Sequence, residues 1–296
     1  MFVWDISPVM LTLGPIQVRY YGLLFAAMLV GGYYIWRWQM LRGGHTEQQA
    51  EGFFLWGAIA VIGGSRLGQV LFYDPGRYLA NPVEILYVWR GGLASHGATI
   101  GLVLVLVLYA RHHKLSKLEI MDRFSMSAAL GALMVRIGNF MNSEIVGRAT
   151  DVPWAVKFPR CVYDRYLPLD QVPGRHPSQL YEVFLGFFVI LSLYLCDRKL
   201  KEERPLGLLA SLFFLLYFSG RFIVEFFKEY QTLSPDASPL TMGQYLSIPF
   251  ILIGACGVYY SYRKAIPTSS LRPAPASVEQ NGAKKKGEKG RKKKKK

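Results

Sequence analysis

The sequence predicts an all-α polytopic membrane protein, with seven transmembrane helices and a small turn-rich head between the fourth and the fifth. Three observations predict this fold. Of the 296 residues, 51% are hydrophobic; the mean hydropathy is positive; and the apolar residues form separate long blocks. Because a membrane-crossing helix needs about 20 largely apolar residues, such blocks favour a membrane protein over a soluble one with one or two domains.

Seven blocks are long enough to be spans. They cover residues 18–36, 53–72, 93–110, 124–142, 180–196, 206–226 and 242–262. The fourth is the weakest, since it contains two serines, Arg136 and Asn139. We expect it to lie among the other helices, because polar groups in lipid need partners within the protein.

The net charge of +15 lies mainly in the C-terminal tail. Residues 263–296 contain thirteen Lys or Arg and two Glu, so +11 belongs to them. The tail is predicted to be disordered, and residues 1–262 to form the membrane domain, with 143–178 as its head. A basic run directly after a transmembrane helix is predicted to bind anionic membrane lipid. Nonspecific nucleic-acid binding is the alternative, and no specific nucleic acid is predicted as a partner.

Basic residues cluster after the first, third, fifth and seventh spans. The positive-inside rule therefore places these ends and the tail in the cytoplasm, and the N-terminus and the head outside. Polar residues from six spans then lie at the outer end of the bundle. They are Tyr20, Tyr21, Arg66, Tyr73, His96, Arg136, Asn139, His176, Gln179, Tyr181, Glu182, Tyr217, Arg221 and Glu225. Their convergence predicts a cavity that opens to the outer leaflet.

The stretch from Arg136 to Gly147, Arg-Ile-Gly-Asn-Phe-Met-Asn-Ser-Glu-Ile-Val-Gly, begins inside the fourth span. A charge at membrane depth costs at least ~2.5–3.5 kcal/mol, so it marks a functional site by default. Arg136, Asn139 and Asn142 recur every three residues, near one helical face, where they offer a guanidinium and two carboxamides to a phosphate ester. The alternative is an arginine that reaches the headgroups or pairs with a buried carboxylate.

Tyr217, Arg221 and Glu225 form a second stripe, at i, i+4 and i+8, in which Arg221 and Glu225 can pair. An inert ion pair that fixes helix register is the alternative. Arg66 is predicted at a similar depth. Three arginines that face one cavity repel each other unless an anion occupies it, and a lipid phosphate is such an anion.

Glycines flank a histidine in Gly91-Gly-Leu-Ala-Ser-His96-Gly97 at the start of the third span. Gly97 would let a ligand approach the backbone, and His96 is a candidate general base. A hydrogen-bonded interfacial histidine is the alternative. His176-Pro-Ser-Gln-Leu-Tyr-Glu182 is typical of a helix start, and Gly64-x-x-x-Gly68 of a helix-packing contact. No cofactor and no metal site is predicted.

Together these motifs resemble the bacterial prolipoprotein diacylglyceryl transferases. Residues 136–147 are similar to that family's signature, and the other three polar motifs match it in order, from about residue 6 to 262. The resemblance implies a seven-span inner-membrane enzyme with its active site toward the periplasm. One departure is Lys228-Glu-Tyr-Gln231, where the family often has an Arg-x-Pro-Asp-like turn.

The resemblance also implies a reaction: transfer of the diacylglyceryl group of phosphatidylglycerol to the lipobox cysteine of a prolipoprotein, with release of glycerol 1-phosphate. It implies catalytic roles for His96, Arg136, Arg221 and Tyr217. Arg136 and Asn139 would hold the phosphate and glycerol, and Glu225 would orient Arg221. The other residues predicted to bind substrate or shape its site are Tyr21, Arg66, Tyr73, Gly97, Asn142, Glu144 and Gly147.

The residues alone leave a transporter or channel for an anionic solute as the competing class. Such a protein should have a polar path through both leaflets, often with inverted repeats. The sequence has no evident repeat, and the inner halves of the spans are predicted to be mostly apolar. An intramembrane protease is a weaker alternative, since the histidines lack a paired serine or a set of metal ligands.

Overall fold

The computed structural model describes residues 1–14, 16–88, 91–92, 94–231 and 238–271. Long helices occupy the seven predicted positions, and most extend beyond the apolar windows. The α-helices are α1 Tyr20–Arg42, α2 Glu47–Phe72, α3 Pro75–Ala80, α4 Ser95–His112, α5 Lys117–Met141, α6 Ser178–Leu200, α7 Leu208–Val224 and α8 Met242–Lys264. Capping boxes at Thr46 and Thr241 define where α2 and α8 begin.

Within the part of the chain that the structure describes, five helices are long and apolar enough to cross a membrane: α2, α5, α6, α7 and α8. The apolar part of α4, His96–His112, is shorter. Large apolar side chains such as Phe54, Phe184 and Leu252 are exposed on these helices, as expected of surfaces that face lipid. The all-α polytopic class is therefore confirmed, whereas the number of seven spans stays a prediction.

Helix α5 lies at the centre of the bundle, where it packs against α1, α4, α6 and α7. Met126, Ala129 and Leu133 are buried on it. The first two pack with Val189 and Leu193 of α6. The weakest predicted span is thus among the most buried of the candidate spans, as its polar residues require.

Helices α2 and α4 approach closely along a row of glycines. A Cβ atom at Gly64 would lie 2.5 Å from the carbonyl oxygen of Gly97, and one at Gly68 would lie 2.8 Å from the Cα atom of Gly97. The predicted packing role of Gly64 and Gly68 is confirmed. Gly97 proves to be their partner across the interface, so its missing side chain serves helix contact.

This contact predicts that Gly64→Ala destabilises the protein, because the added methyl group meets backbone atoms that only a shift of α4 can relieve. We expect a loss of about 1–3 kcal/mol, which thermal unfolding in detergent measures as a lower melting temperature. Gly63→Ala is the matched control, since a Cβ atom there has no neighbour within 4 Å among the described residues. Equal melting temperatures for the two variants would contradict the close approach.

Short strands join the N-terminus to the segment between α5 and α6, which we call the α5–α6 connection (residues 142–177). Strand β1 (Phe2–Val3) pairs in parallel with β4 (Val156–Lys157), which pairs antiparallel with β5 (Gly174–Arg175). A separate hairpin, β2 (Val9–Leu13) and β3 (Ile16–Arg19), precedes α1. Trp4 donates a hydrogen bond to the carbonyl of Phe140 at 2.9 Å, and the two rings pack together.

A network of buried ion pairs occupies the opposite end of the bundle. Arg123 lies 2.8 Å from Glu119 and 2.9 Å from Glu202. Arg204 lies 3.1 Å from Asp197, which also pairs with Arg42. This network does not contradict the prediction that the inner halves of the spans are mostly apolar. These charges lie beyond the apolar windows, where the sequence alone predicts solvation, but the ends of α1, α5 and α6 bury them together.

The two polar ends remain separate. Arg123 and Arg136 are 13 residues apart on α5, or about 20 Å along the helix. The apolar cluster around Met126, Val189 and Leu193 lies between them. This layer argues against a polar path through both leaflets.

The chain after α8 packs on the ion-pair network. The N–H of Leu206 donates to the carbonyl of Ile266, and that of Thr268 to the carbonyl of Arg204. The predicted tail boundary at residue 263 therefore falls within a packed segment. Residues 272–296, which hold most of the predicted basic tail, lie outside the described residues.

Candidate active site

Arg136 lies near the C-terminal end of α5, with its side chain 11% exposed. Its Nε atom pairs with Glu182 of α6, and its Nη1 atom donates to the Oδ1 atom of Asn139 at 3.2 Å. The side chains of Tyr217 and Arg221, both on α7, also lie beside it. Three helices therefore contribute to one polar cluster around Arg136.

The two asparagines of the motif both bind Glu144. Asn139 donates to one carboxylate oxygen at 3.3 Å, and Asn142 donates to the other at 3.2 Å. Tyr21 of α1 interacts electrostatically with Glu144 and Arg136, and its ring packs on Gly138, where a Cβ atom would lie 2.6 Å away. The predicted grouping of Arg136 with these residues is confirmed, and their role in binding stays a prediction.

The chain leaves α5 through a strained turn. Ser143 and Ile145 have φ angles of 53° and 56°, in the left-handed region that β-branched residues rarely adopt. Such backbone costs about 1–3 kcal/mol per residue and persists only where its surroundings fix it. Here Gln179 donates to the carbonyl of Glu144 at 2.8 Å, and Ser178 to that of Ile145 at 2.9 Å. The start of α6 thus holds Glu144 at the edge of the cluster.

Beyond α7, Glu225 pairs with Lys228. The Lys228 Nζ atom lies 3.1 Å from Glu225 Oε2 and 2.5 Å from Glu182 Oε1. The predicted pairing of Arg221 with Glu225 is wrong, because among the described residues the carboxylate of Glu225 forms its ion pair with Lys228. Gly243 of α8 makes room for the Glu225 carboxylate, which a Cβ atom there would overlap.

Gly147 joins three segments at the wall of the cluster. Its N–H donates to the carbonyl of His176 at 3.0 Å, and a Cβ atom there would overlap the carbonyl oxygens of His176 and Phe227. The next residue, Arg148, donates to the carbonyls of Phe227 and Lys228, each at 2.9 Å. Only glycine fits this position, so Gly147 shapes the site through the backbone.

His96 belongs to a second group, at the α2–α4 contact. It is exposed at the start of α4, and its ring packs against Phe72 and Tyr73 at 5.3 and 5.6 Å. Gly97 faces α2, as described above, so the prediction that it gives a ligand access to the backbone is wrong.

The sequence also predicts the wrong surroundings for Arg66. It is 4% exposed, and its guanidinium donates to backbone carbonyls of the segment before α4, those of Glu84, Ile85, Tyr87, Gly91 and Gly92. It also stacks over Tyr78, at 4.8 Å. The guanidinium thus supports this segment and does not face Arg136 as a third phosphate ligand.

Cys161 of the α5–α6 connection is a poor nucleophile. It is 1% exposed. Burial raises the pKa of its thiol, and the neighbouring Asp164 raises it further. Burial opposes ionisation of Asp164 itself, but bonds from Arg175 and Cys161 lower the pKa of that carboxyl overall. Arg175 lies 2.6 Å from Asp164 and 2.7 Å from Glu229, so this group holds the connection together.

The inner part of the cluster around Arg136 has more positive than negative groups. Among the described residues it combines Arg136, Arg221 and Lys228 with Glu182 and Glu225. Glu144 lies at the exposed edge and binds the two asparagines. This surplus of positive charge favours binding of a phosphate ester, since charge-assisted hydrogen bonds to phosphate are strong and directional.

The family model for prolipoprotein diacylglyceryl transferases matches residues 8–260. The chain belongs to this family. It is 39% identical, over 255 residues, to the phosphatidylglycerol–prolipoprotein diacylglyceryl transferase of Tolumonas auensis, and the match covers 86% of this chain and 95% of that protein. The enzyme of the same name from Chloroherpeton thalassium is 39% identical over 263 residues, which cover 88% and 95%. That of Nitrosomonas europaea is 39% identical over 282 residues, which cover 91% and 95%.

In this diacylglyceryl transferase, two residues of the cluster around Arg136 were not predicted as site residues. Glu182 is 1% exposed and binds both Arg136 and Lys228, although the sequence predicts for it only a helix start at the outer end of the bundle. Lys228 is 4% exposed, although it lies in a loop sequence. One signal was available for Glu182: it is a carboxylate near the start of an apolar helix, at the depth predicted for Arg136.

Proposed function

We propose that this protein transfers the diacylglyceryl group of phosphatidylglycerol to a cysteine thiol of prolipoproteins, the first step of bacterial lipoprotein maturation. Membership of the prolipoprotein diacylglyceryl transferase family supports this function. The observation in the structure that carries it is the surplus of cations around Arg136, because phosphatidylglycerol is an anionic phosphodiester.

The reaction is a displacement at carbon by sulfur. The thiolate of the lipobox cysteine attacks the carbon of the diacylglyceryl group that is bonded to the phosphate oxygen. A carbon–sulfur bond forms, the carbon–oxygen bond breaks, and glycerol 1-phosphate leaves with the electron pair. The leaving group gains charge in the transition state, so fixed positive groups beside it accelerate the step.

The residues of the cluster divide this work. Arg136 binds the phosphate through its free N–H groups, while Glu182 and Asn139 fix its orientation. Arg221 lies beside Arg136 and Tyr217, and it stabilises the charge that develops on the leaving phosphate. Tyr217 and Tyr21 line the site, and Glu144 and Asn142 form its edge, where the glycerol headgroup is bound.

We assign His96 as the general base that accepts the proton of the substrate thiol. A thiolate is the reactive form of cysteine, and histidine is the side chain that most often serves as a general base. His96 is exposed, and Tyr73 packs beside it, which fits a position where a peptide substrate arrives. The arginines provide the alternative, since they would also lower the pKa of a nearby thiol.

The protein resides in the bacterial inner membrane as a multi-pass protein. We assign seven spans by adding α1 and α4 to the five helices that satisfy length and composition. The positive-inside rule places the N-terminus and the α5–α6 connection in the periplasm, where this connection is the head, and the C-terminus in the cytoplasm. The active site then faces the periplasm.

The decisive experiment incubates the purified protein with phosphatidylglycerol vesicles and a lipobox peptide. Mass spectrometry should show that the peptide gains one diacylglyceryl group, and an equal amount of glycerol phosphate should be released. A peptide with serine in place of cysteine is the control. No mass gain, with folded protein and intact substrates, would refute the proposed function.

The basic tail is predicted to attract anionic lipid and to take no part in the reaction. Each basic residue near the surface contributes up to about 1 kcal/mol to membrane attraction. Deletion of residues 272–296, which leaves the packed segment before them intact, should change turnover in the peptide assay less than twofold. A loss of more than tenfold, with an unchanged melting temperature, would assign the tail to the transferase reaction.

A further inference from the structure

Lys228 is a buried cation in the turn after α7, where the sequence departs from the family's usual turn, and the sequence analysis assigns it no role. Its Nζ atom bridges the carboxylates of Glu182 and Glu225, which come from different elements of the fold. Its backbone is fixed as well, since its carbonyl accepts the hydrogen bond from Arg148. The two carboxylates therefore hold the ammonium group in one place.

The protonation state of Lys228 sets the net charge of the inner cluster. Glu182 is shared between Arg136 and Lys228. With Lys228 protonated, the inner cluster of Arg136, Arg221 and Lys228 against two carboxylates has one surplus positive charge. Without that proton, Glu182 and Glu225 neutralise the two arginines, and the electrostatic attraction for a phosphodiester is lost.

We propose that Lys228 is a positioning residue of this site: its ammonium group holds Glu182 and Glu225 and thereby keeps Arg136 and Arg221 available to the phosphate. This inference rests on the proposed function. It deepens it, because it makes the anion affinity of the site depend on a group that can lose its proton, which an arginine would not do.

The groups around Lys228 bring its pKa into the pH range of the enzyme assay. Burial and the neighbouring Arg136 and Arg221 lower the pKa of Lys228 to about 8, although Glu225 acts in the opposite direction. The charged or titratable groups that face it are Glu182 from α6, Arg136 from α5, Tyr217 and Arg221 from α7, and Glu225 from the turn after α7. The ammonium is thus present below pH 8 and lost above it.

The experiment compares Lys228→Arg with the wild-type protein in the peptide assay, from about pH 6.5 to pH 9.5. Each rate is divided by the wild-type rate at the same pH, which removes the ionisation of the peptide thiol and of any common base. We expect a constant ratio at low pH and a rise of roughly tenfold for each unit above the lysine pKa, because guanidinium stays charged. A ratio that stays constant over the whole range would overturn the proposal.

Lys157→Arg is the matched control, since Lys157 lies in strand β4, away from the cluster, and its ratio should stay constant. If Lys228→Arg does not fold, Lys228→Gln carries the test. The wild-type protein should exceed it by more than tenfold below pH 8 and approach it above pH 9, whereas a constant excess would overturn the proposal. Absence of transfer by the wild-type protein would instead refute the proposed function, so the two failures are distinguishable.

Discussion

Replacing Arg136 by alanine is expected to abolish diacylglyceryl transfer while the protein still folds and inserts. The guanidinium is the centre of the cluster and contacts Glu182 and Asn139. Loss of one preorganised charge donor commonly lowers a rate by about 10²–10³-fold, and loss of phosphate binding adds to this. The fold should survive, because Lys228 still pairs with Glu182. The rate of mass gain by the lipobox peptide measures the effect.

Arg136→Lys should also be poor, because an ammonium group cannot bind Glu182, Asn139 and a phosphate in the fixed directions of a guanidinium. Arg160→Ala is the control for loss of an arginine outside the cluster. Arg160 lies in the α5–α6 connection, where its side chain is 44% exposed and forms an ion pair with Asp5 at 2.7 Å. Its removal should therefore leave the rate within twofold of the wild-type rate. Full activity of Arg136→Ala would refute its role.

His96→Gln and Arg221→Gln are both expected to lower the rate of transfer, but the two losses should depend differently on pH. If His96 accepts the thiol proton, its glutamine variant should lose about 10²-fold or more of the rate at neutral pH. Raising the pH should restore part of this loss, since more of the peptide is then thiolate. Arg221→Gln should not be rescued, because the missing charge acts on the leaving phosphate at every pH.

The measurement is a pH–rate profile of both variants from about pH 6 to pH 9.5, each divided by the wild-type rate, with one lipobox peptide. For His96→Gln this ratio also cancels the titration of Lys228, whereas Arg221→Gln is compared only below about pH 8, because Arg221 itself lowers the pKa of Lys228. Parallel profiles, or no rise for His96→Gln, would show that His96 does not act as the base. It would then be a residue that positions the peptide, and the arginines would be the source of thiol activation.

The sequence predicts the helices well because their signal is local. Apolar blocks place all seven long helices, and the spacing of Arg136 and Asn139 predicts their shared face. The GxxxG pattern at Gly64 and Gly68 predicts a helix contact, and the structure adds its partner, Gly97. Each of these predictions depends on residues within a few turns of one another, where helical geometry alone fixes the neighbours.

The errors concern partners that are distant in sequence. Arg66 lies at a depth that suits the cavity, but its direction around α2 turns it toward the carbonyls before α4. Glu225 lies one helical turn after Arg221, but Lys228 from the following turn forms the ion pair with its carboxylate. Depth along a helix was predictable, whereas rotation about its axis and the choice among competing charged partners were set by packing between elements.

The pairing of β1 with β4 bears on the order in which the molecule is assembled. Phe2 lies opposite Val156, so the first strand finds its partner only after four of the assigned spans and part of the α5–α6 connection have been synthesised. The bond from Trp4 to Phe140 has the same requirement. Contacts so far apart in sequence form late, because closing a long loop costs entropy before the contact stabilises it. During biogenesis the first strand therefore remains available to other proteins until Val156 has emerged, and only then can the N-terminus anchor the α5–α6 connection.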